Sequence, residues 1–496
     1  MNENEILYKE TQELIDKGDT EKAEINLIEL YKKADVDDIN YMISKILINL
    51  GTKTKNPKRI GESIGKLKQL DDKKFPRVHF YLGTAYLKKY EVLRDKPNYI
   101  QDKRLLYNSK LELKKFISKN PNEDLHNAYV NLGAVYSKIG RTIESLKIDN
   151  FILEEYGSEY GSEYGLFNKG YSLYTYSMYT DNPMFCVKKA YDCFKIILED
   201  PNIRDSFKKK SQNMINLIKR DYSEEFLETE VDDEPIEIES DSDFNFYKIE
   251  YCWENNLNLN YCDYCKNCIK STEDSLVIEK MIYTKPLNNE TKLSKLSSYL
   301  NQIKMDFVSA RTLLILSEYD GFDLDSITQD VLLMNTDFPE ENDIRIQLLK
   351  DSFKNFFNIL DKIAVFIKDY LKIEYDDSSI DFRNVWFKPE IKEKLIEMDN
   401  PGANALFDIY NDLEYDYNKK YLRNTRNALT HRYLKITTEK HEITDKTVEE
   451  LKTETLEIAH LVKNAIIYLM RFVKINEEYE EEKLDMEFIP IEEFEF

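Results

Sequence analysis

Long apolar runs are missing from the sequence. No segment reaches 18 apolar residues without a charge, which is about the length that a membrane-spanning helix needs, so no membrane partner is expected. The first ten residues lack a basic region followed by an apolar run, so no secretory signal is expected. These two absences favour a soluble protein of the cytoplasm.

Cysteines are few, and they are not spread along the chain as a disulfide framework would require. Four of the six form a cluster in which Cys262, Cys265 and Cys268 give two overlapping C-x-x-C spacings, with Cys252 ten residues earlier. Four thiolates can hold a tetrahedral zinc ion, so this cysteine cluster predicts a structural Zn²⁺ site. Free thiols and a redox role remain alternatives, because a second, separate C-x-x-C pair is missing.

An excess of positive charge is missing as well. The net charge of −23 argues against general affinity for nucleic acid. Residues 221–243 contain 12 acidic and no basic residues, and residues 476–496 contain ten acidic residues and one lysine. Residues 419–435 reverse this balance with six Lys or Arg and no Asp or Glu. A solvated helix face would give the same basic island, so charge alone does not define a site there.

A degenerate repeat runs through the first 220 residues. Its clearest unit contains Tyr129, Leu132, Gly133, Tyr136 and Gly140. The flanking units contain similar residues: Leu82, Gly83 and Tyr86 before it, and Gly170, Leu173, Ala190 and Phe194 after it.

This pattern resembles the tetratricopeptide repeat (TPR), in which two helices pack closely through a small residue such as Gly133. Gly133 and Gly170 are 37 residues apart, near the ~34 of that repeat, whereas the 50 residues between Gly83 and Gly133 predict an insertion at 95–107. The resemblance implies a TPR-like helical solenoid that binds a protein or peptide partner on its concave face. A role as a scaffold or dimer support remains the alternative.

Four further amphipathic patterns predict a C-terminal four-helix bundle, at 300–317, 344–373, 403–434 and 447–475. The sequence therefore predicts an all-α protein. The expected parts are a repeat array at 1–220, an acidic linker at 221–243, a cysteine-rich segment at 244–280, the bundle at 281–475 and an acidic tail at 476–496.

Polar side chains concentrate on one face of the third predicted bundle helix. At 100° per residue, Arg423, Arg426, Asn427, Thr430 and His431 fall within an arc of about 140°. No carboxylate lies nearby in sequence to neutralise this polar arc. The alternative interpretation is a helix C-terminus capped by Arg and His, which the helix dipole favours.

The run Arg426-Asn427-Ala428-Leu429-Thr430-His431 resembles the signature of the HEPN superfamily, which is Arg, a polar residue, further residues and then His. Segments 307–314 and 253–260 also look like those of repeat-linked members, so the resemblance covers about 244–475. It implies a metal-independent endoribonuclease that leaves a 2′,3′-cyclic phosphate. It also implies a pocket shared across a homodimer or higher oligomer, in phage defence or as a toxin.

The residue types fit that chemistry. Histidine exchanges protons near neutral pH, which suits His431 to proton transfer, and the Arg426 guanidinium can bind a phosphate through two hydrogen bonds and stabilise developing charge. Asn427 can orient either group, and catalysis needs no cofactor. Further residues expected to bind the RNA substrate are Arg423, Thr430, Arg432 and Arg311.

Two other functions are compatible with the sequence. One is a non-catalytic TPR scaffold with a helical dimerisation domain. The other is a nucleotide-binding HEPN domain that a partner transferase modifies.

Overall fold

The structure is a computed structural model. It describes residues 3–33, 36–94, 103–119, 124–157, 162–178, 180, 183–229, 240, 242–262, 269–277, 290–332, 343–416, 419–432, 434–437 and 445–484. The all-α prediction is confirmed, because these residues are overwhelmingly helical. The only strands among them are β1 (Ile436–Thr437) and β2 (Lys446–Thr447), which form a short parallel pair. No helix in these ranges has the length and apolarity that crossing a membrane requires.

The chain divides into two compact units. The N-terminal unit comprises residues 1–176 and 187–229, and the C-terminal unit comprises residues 177–186 and 230–496. The described helices that begin before residue 230 are α1 (Glu3–Lys17), α2 (Thr20–Tyr31), α3 (Asp37–Lys53), α4 (Pro57–Leu67), α5 (Val78–Arg94), α6 (Arg104–Ser118), α7 (Leu125–Ile139), α8 (Thr142–Tyr156), α9 (Ser162–Ser177), α10 (Pro183–Glu199), α11 (Asp205–Asp221) and α12 (Glu224–Glu228).

From α1 to α8, each helix packs against the next, and α1, α3, α5 and α7 also contact one another in order. The odd-numbered helices therefore form one layer, which is consistent with stacked helical repeats. Most of the predicted insertion at 95–107 lies outside the described residues, and α6 already begins at Arg104.

Close helix packing at glycine is confirmed at Gly133. A Cβ placed there would lie 2.8 Å from Asp149 Oδ1 on α8, and the Ser145 hydroxyl donates to the Gly133 carbonyl at 2.9 Å. The α5–α6 pair repeats this arrangement, since Ser109 donates to the Gly83 carbonyl at 2.7 Å. Asp149 is fully buried and its Oδ1 has no hydrogen-bond partner among the described residues. Burial raises the pKa of this carboxyl well above its usual value.

The C-terminal unit contains the remaining described helices: α13 (Asp243–Glu254), α14 (Glu290–Glu318), α15 (Asp325–Thr328), α16 (Ile344–Tyr370), α17 (Pro389–Met398), α18 (Pro401–Tyr415), α19 (Lys420–His431) and α20 (Val448–Leu484). Among the described residues, three short 3₁₀ helices lie at Ile269–Thr272, Asp377–Ser379 and Val385–Phe387. The long helices α14, α16, α18 and α20 form the bundle: α16 packs along α14, and both α16 and α18 pack on α20.

Helix α20 lies at the centre of this bundle, because every residue from Leu461 to Val473 is buried. Apart from Lys463, Asn464 and Arg471, this stretch is apolar on every side, as is expected of a helix in a core rather than at a surface. The start of α18 crosses α20 in very close contact. A Cβ on Gly402 would lie 2.4 Å from the Phe472 backbone nitrogen and 2.6 Å from the Tyr468 carbonyl oxygen. Asn400 fixes the crossing, since its amide donates to the Phe472 carbonyl at 2.9 Å while its Oδ1 accepts from Gly402 N at 2.8 Å.

Several predicted boundaries are wrong. The third bundle helix is two helices, α18 and α19, because α18 ends at Tyr415 and Asp416 is extended and buried. The predicted linker contains the end of α11 and all of α12, whose Leu227 is fully buried; residues 230–239 and 241 lie outside the described residues. Helix α20 runs to Leu484, through the start of the predicted acidic tail, and residues 485–496 lie outside the described part. Helix α17 and the 3₁₀ turns before it were not predicted.

Candidate functional site

The helix that carries the polar arc, α19, is fixed on α20 by its opposite face. Leu422 and Thr425 are buried, and the Thr425 hydroxyl donates to Glu454 Oε2 at 2.7 Å. The Tyr421 hydroxyl donates to the Glu457 carboxylate one turn further along α20. Because these contacts set the rotation of α19, its remaining faces point away from α20.

Each of the predicted site residues on α19 is at least partly accessible. Thr430, His431 and Arg432 are exposed, whereas Arg423, Arg426 and Asn427 are half-buried. Arg432 directly follows the last residue of the helix, and its backbone is extended. Its side chain therefore leaves the helical surface. His431 forms no hydrogen bond or ion pair with any residue that the structure describes.

A carboxylate from another helix, Glu414 of α18, neutralises part of the arc. Arg423 Nη1 donates to Glu414 Oε2 on α18, and Arg383 Nε lies 3.7 Å from the other oxygen of the same carboxylate. The Glu414 side chain is only 12% exposed, so the pair is shielded from water on one side. Glu414 thus holds two guanidiniums at the edge of the arc.

Arg426 lies near a second carboxyl that the sequence did not reveal, Asp361 on α16. Burial raises the pKa of Asp361, and the positive charge of Arg426 partly opposes that rise. Asp361 Oδ1 accepts a hydrogen bond from the Phe382 backbone N–H at 2.9 Å. Arg426 Nη1 donates to Asn427 Oδ1 at 3.4 Å, while its Nε is buried without a partner among the described residues. A buried donor without an acceptor is rare in a folded protein, so the guanidinium retains hydrogen-bonding capacity.

Arg426 and His431 are not brought together within one chain. Five residues of helix separate them by about 7.5 Å along the axis and about 140° around it, and none of the described contacts joins their side chains. A phosphate that contacts both residues would have to bridge this separation, or would contact residues from two copies of the helix.

The predicted substrate-binding role of Arg311 is wrong. Arg311 is 5% exposed, and its two terminal nitrogens each donate to an oxygen of Asp274 at 2.8 Å. One of them also donates to the Leu257 carbonyl at 3.0 Å. This guanidinium ties Leu257 and Asp274 to α14 and is unavailable to a substrate.

The zinc prediction stays open. Cys252 on α13 and Cys262 are buried, but Cys265 and Cys268 lie outside the described residues. Within the described chain no group of three or more His, Cys, Asp or Glu side chains could hold a metal. Burial raises the pKa of the Cys252 thiol to about 11, so this thiol stays protonated at neutral pH unless a cation replaces its proton.

Residues 287–476 match a protein-family model described as LA2681-like HEPN. The match begins just before α14, covers every helix through α19 and includes α20 as far as residue 476. It supports a HEPN-type, nuclease-like domain in the C-terminal unit. No curated protein and no solved structure matches the chain.

Proposed function

On the premise of that family match, we propose that the C-terminal unit is a metal-independent endoribonuclease whose reacting residues are Arg426, Asn427 and His431. The observation that carries this proposal is the accessible face of α19. Among the described residues, neither the exposed His431 imidazole nor the buried Nε of Arg426 has a hydrogen-bond partner. Three neighbouring side chains, Arg423, Thr430 and Arg432, would contact the RNA chain beside them.

RNA carries its own nucleophile, the ribose 2′-hydroxyl, so the protein has to align atoms and move protons. The 2′-oxygen forms a bond to phosphorus as the bond from phosphorus to the 5′-oxygen breaks. One imidazole accepts the 2′-hydroxyl proton, and an imidazolium donates a proton to the leaving 5′-oxygen. Arg426 binds the non-bridging phosphate oxygens and stabilises the charge that develops on them. The products are a 2′,3′-cyclic phosphate and a 5′-hydroxyl.

A homodimer would supply the two histidines that this reaction uses. Because Arg426 and His431 lie about 140° apart around α19, a second copy related by a two-fold axis can place its His431 opposite the first Arg426. Mixing the two inactive variants Arg426→Ala and His431→Ala tests this idea. Mixed dimers should recover weak cleavage, because one pocket keeps one intact Arg426 and one intact His431. Full activity in an enforced monomer would contradict the shared pocket.

For the N-terminal unit we propose a partner with acidic groups, which would regulate the nuclease. Lys45 on α3 supports this role: its amine lies 4.8, 5.4 and 5.0 Å from the ring centroids of Tyr8, Tyr41 and Tyr81. On the same α3 face lies a cavity of about 410 Å³, lined by α1, α3 and α5 residues that include Asp16, Asn49, Lys53, Thr84 and Lys88. Lysines outnumber acids there, which favours an anionic peptide. A cytoplasmic defence or toxin role would follow from such sensing.

The deciding experiment incubates the full chain with total RNA and with tRNA in EDTA. Cleavage that leaves cyclic phosphate ends is expected for the natural sequence and should be lost in His431→Ala and in Arg426→Ala. Asn424→Ala is the matched control, because Asn424 is exposed on the same helix and has no assigned role. Absence of cleavage in any RNA, together with normal dimerisation, would favour the scaffold function; nucleotide transfer onto the protein by a partner would favour the modified nucleotide-binding domain.

A further inference from the structure

Two large aromatic side chains are exposed beside the candidate site. Phe387, in the last 3₁₀ turn before α17, is 54% exposed, and Tyr415, at the end of α18, is 60% exposed. Both pack edge-on against the buried Tyr410: Phe387 at 5.5 Å and 75°, and Tyr415 at 6.2 Å and 88° between ring centroids and planes. We call Phe387, Tyr410 and Tyr415 the aromatic platform.

The platform is supported from inside the unit. Phe407 stacks on Tyr410 at 5.7 Å, and the ring of Trp386, which is 4% exposed, lies 5.7 Å from Phe407. Burial, together with the neighbouring Tyr415 hydroxyl, raises the pKa of Tyr410. The exposed rings are thus held in place by a packed aromatic layer, which makes them a rigid surface.

Guanidiniums connect the platform to α19. Glu414, adjacent to Tyr415 in sequence, accepts from Arg423 of α19 and lies 3.7 Å from Arg383. Arg383 is close enough to Tyr410 to oppose the rise in its pKa, and its side chain is 65% exposed. One continuous surface therefore carries exposed rings, an exposed Arg383 and the Arg423 end of the polar arc.

The chemistry of this surface fits a nucleotide chain better than a protein. Exposed apolar patches mark interaction sites, and a protein interface would be expected to bury the rings within a wider apolar surface. Here the rings border Arg383 and Arg423, whose two positive charges exceed the single negative charge of Glu414 between them, and the basic island at 419–435. Aromatic rings stack on bases of any sequence, and Arg side chains bind the phosphates between them.

We propose that the aromatic platform binds an unpaired RNA base by stacking on Phe387 or Tyr415, while Arg383 and Arg423 bind the adjoining phosphates. This inference rests on the proposed ribonuclease function and deepens it. From Arg423 to His431 the helix rises about 12 Å, so the stacked base would lie a short stretch of RNA away from the cleaved bond. Bases inside a duplex are not available for such stacking, and the nuclease would therefore select unpaired RNA.

Binding is measured first, in the full chain with His431→Ala so that the RNA stays intact. Fluorescence anisotropy with a labelled single-stranded oligoadenylate and oligouridylate, and with a duplex of the same length, gives the affinities. Tyr415→Ala and Phe387→Ala should each weaken single-strand binding about tenfold, and leave duplex binding unchanged. Tyr415→Phe should keep most of the affinity, because it keeps the ring. Ile396→Ala, another exposed apolar side chain that lies on α17, is the matched control and should have no effect.

Arg383→Ala should weaken binding to both oligonucleotides and reduce the slope of log affinity against log salt by about one. The two aromatic substitutions lie on different elements, so one that fails to fold leaves the other as a test. Unchanged single-strand affinity in the folded Tyr415→Ala and Phe387→Ala variants overturns the proposal. The proposal is also wrong if either aromatic substitution changes the sedimentation of the RNA-free protein but not its RNA affinity. In that case the platform is a protein interface.

Cleavage assays with variants that keep His431 distinguish this proposal from the proposed function. Tyr415→Ala should raise KM for single-stranded RNA with little change in kcat, since the ring contacts a base away from the cleaved bond. If the chain cleaves RNA but the aromatic substitutions do not change its affinity for single strands, the nuclease proposal holds and the platform proposal is wrong. If the aromatic substitutions weaken single-strand binding but the chain cleaves no RNA, the platform proposal holds and the nuclease proposal is wrong.

Discussion

Replacing Gly402 with alanine tests how tightly the candidate site is held on the bundle core. The added Cβ would lie 2.4 Å from Phe472 N, 2.6 Å from Tyr468 O and 2.7 Å from Phe472 Cα. All three are backbone atoms of α20, so no side-chain rotation can relieve the clash. The start of α18 must therefore move away by about 1 Å, which strains packed helices and stretches the 2.9 Å bond from Asn400 to Phe472 O.

Overpacking of this kind costs about 1–3 kcal/mol, and the weakened hydrogen bond costs about 1 kcal/mol more. Alanine returns about 0.5–1 kcal/mol through its better helix propensity, so the net loss in the free energy of unfolding should be about 2 kcal/mol. For a unit of this size that corresponds to a fall in Tm of roughly 4–8 °C.

Tryptophan fluorescence during thermal unfolding is the assay, because both tryptophans, Trp253 and Trp386, lie in the C-terminal unit. Gly65→Ala is the matched control: Gly65 is helical, and a Cβ there meets nothing within 4 Å. Gly65 lies in the N-terminal unit, which has no tryptophan, so its effect is followed by circular dichroism, and the thermal transition should stay in place. A Gly402→Ala protein with an unchanged tryptophan transition would show that α18 and α20 separate at no cost, and would refute the reasoning.

Four other outcomes are expected. Asp149→Asn should raise the Tm of the N-terminal unit, and the gain should grow with pH. The pKa of the Asp149 carboxyl is raised in the folded protein, so the natural protein loses stability as the pH rises above the pKa that this carboxyl has in the unfolded chain. The loss is about 1.4 kcal/mol per pH unit until the folded pKa is reached. Equal gains at pH 5 and pH 8 would contradict this. Arg426→Ala and His431→Ala should change the free energy of unfolding by less than about 0.5 kcal/mol; unfolding of either would indicate a structural cap. Elemental analysis of protein purified without added metal should find one zinc per chain on the cysteine cluster, and freely titrating thiols would exclude it. Deleting residues 485–496 should raise RNA affinity at low salt, and an unchanged affinity at every salt concentration would make the tail a solubility element.

Local periodicity predicted the helices well where it was strong. The apolar stripe that includes Phe353, Phe356 and Leu360 predicted 344–373, and α16 spans Ile344–Tyr370, because an amphipathic pattern extends over many turns. The break between α18 and α19 was missed, since it depends on burial of Asp416 rather than on a glycine or proline. Helix α17 did carry a readable signal, Pro389 at its first turn.

The site partners could not be predicted from sequence, because they come from other elements. Glu414 and Asp361 approach α19 only through the packing of α18 and α16. Arg311 is different: it follows Ala310 and lies three residues before Leu314, both fully buried. Its position on the apolar face of α14 was a sign of a buried structural role.

The central position of α20 has a consequence for synthesis. The candidate face of α19 is ordered by bonds from Thr425 and Tyr421 to α20, and α20 follows every other described helix of its unit. A nascent chain therefore cannot assemble this face until Glu454 and Glu457 of α20 have left the ribosome. The candidate face is thus a late product of folding, since it forms only once both of its anchors on α20 are in place.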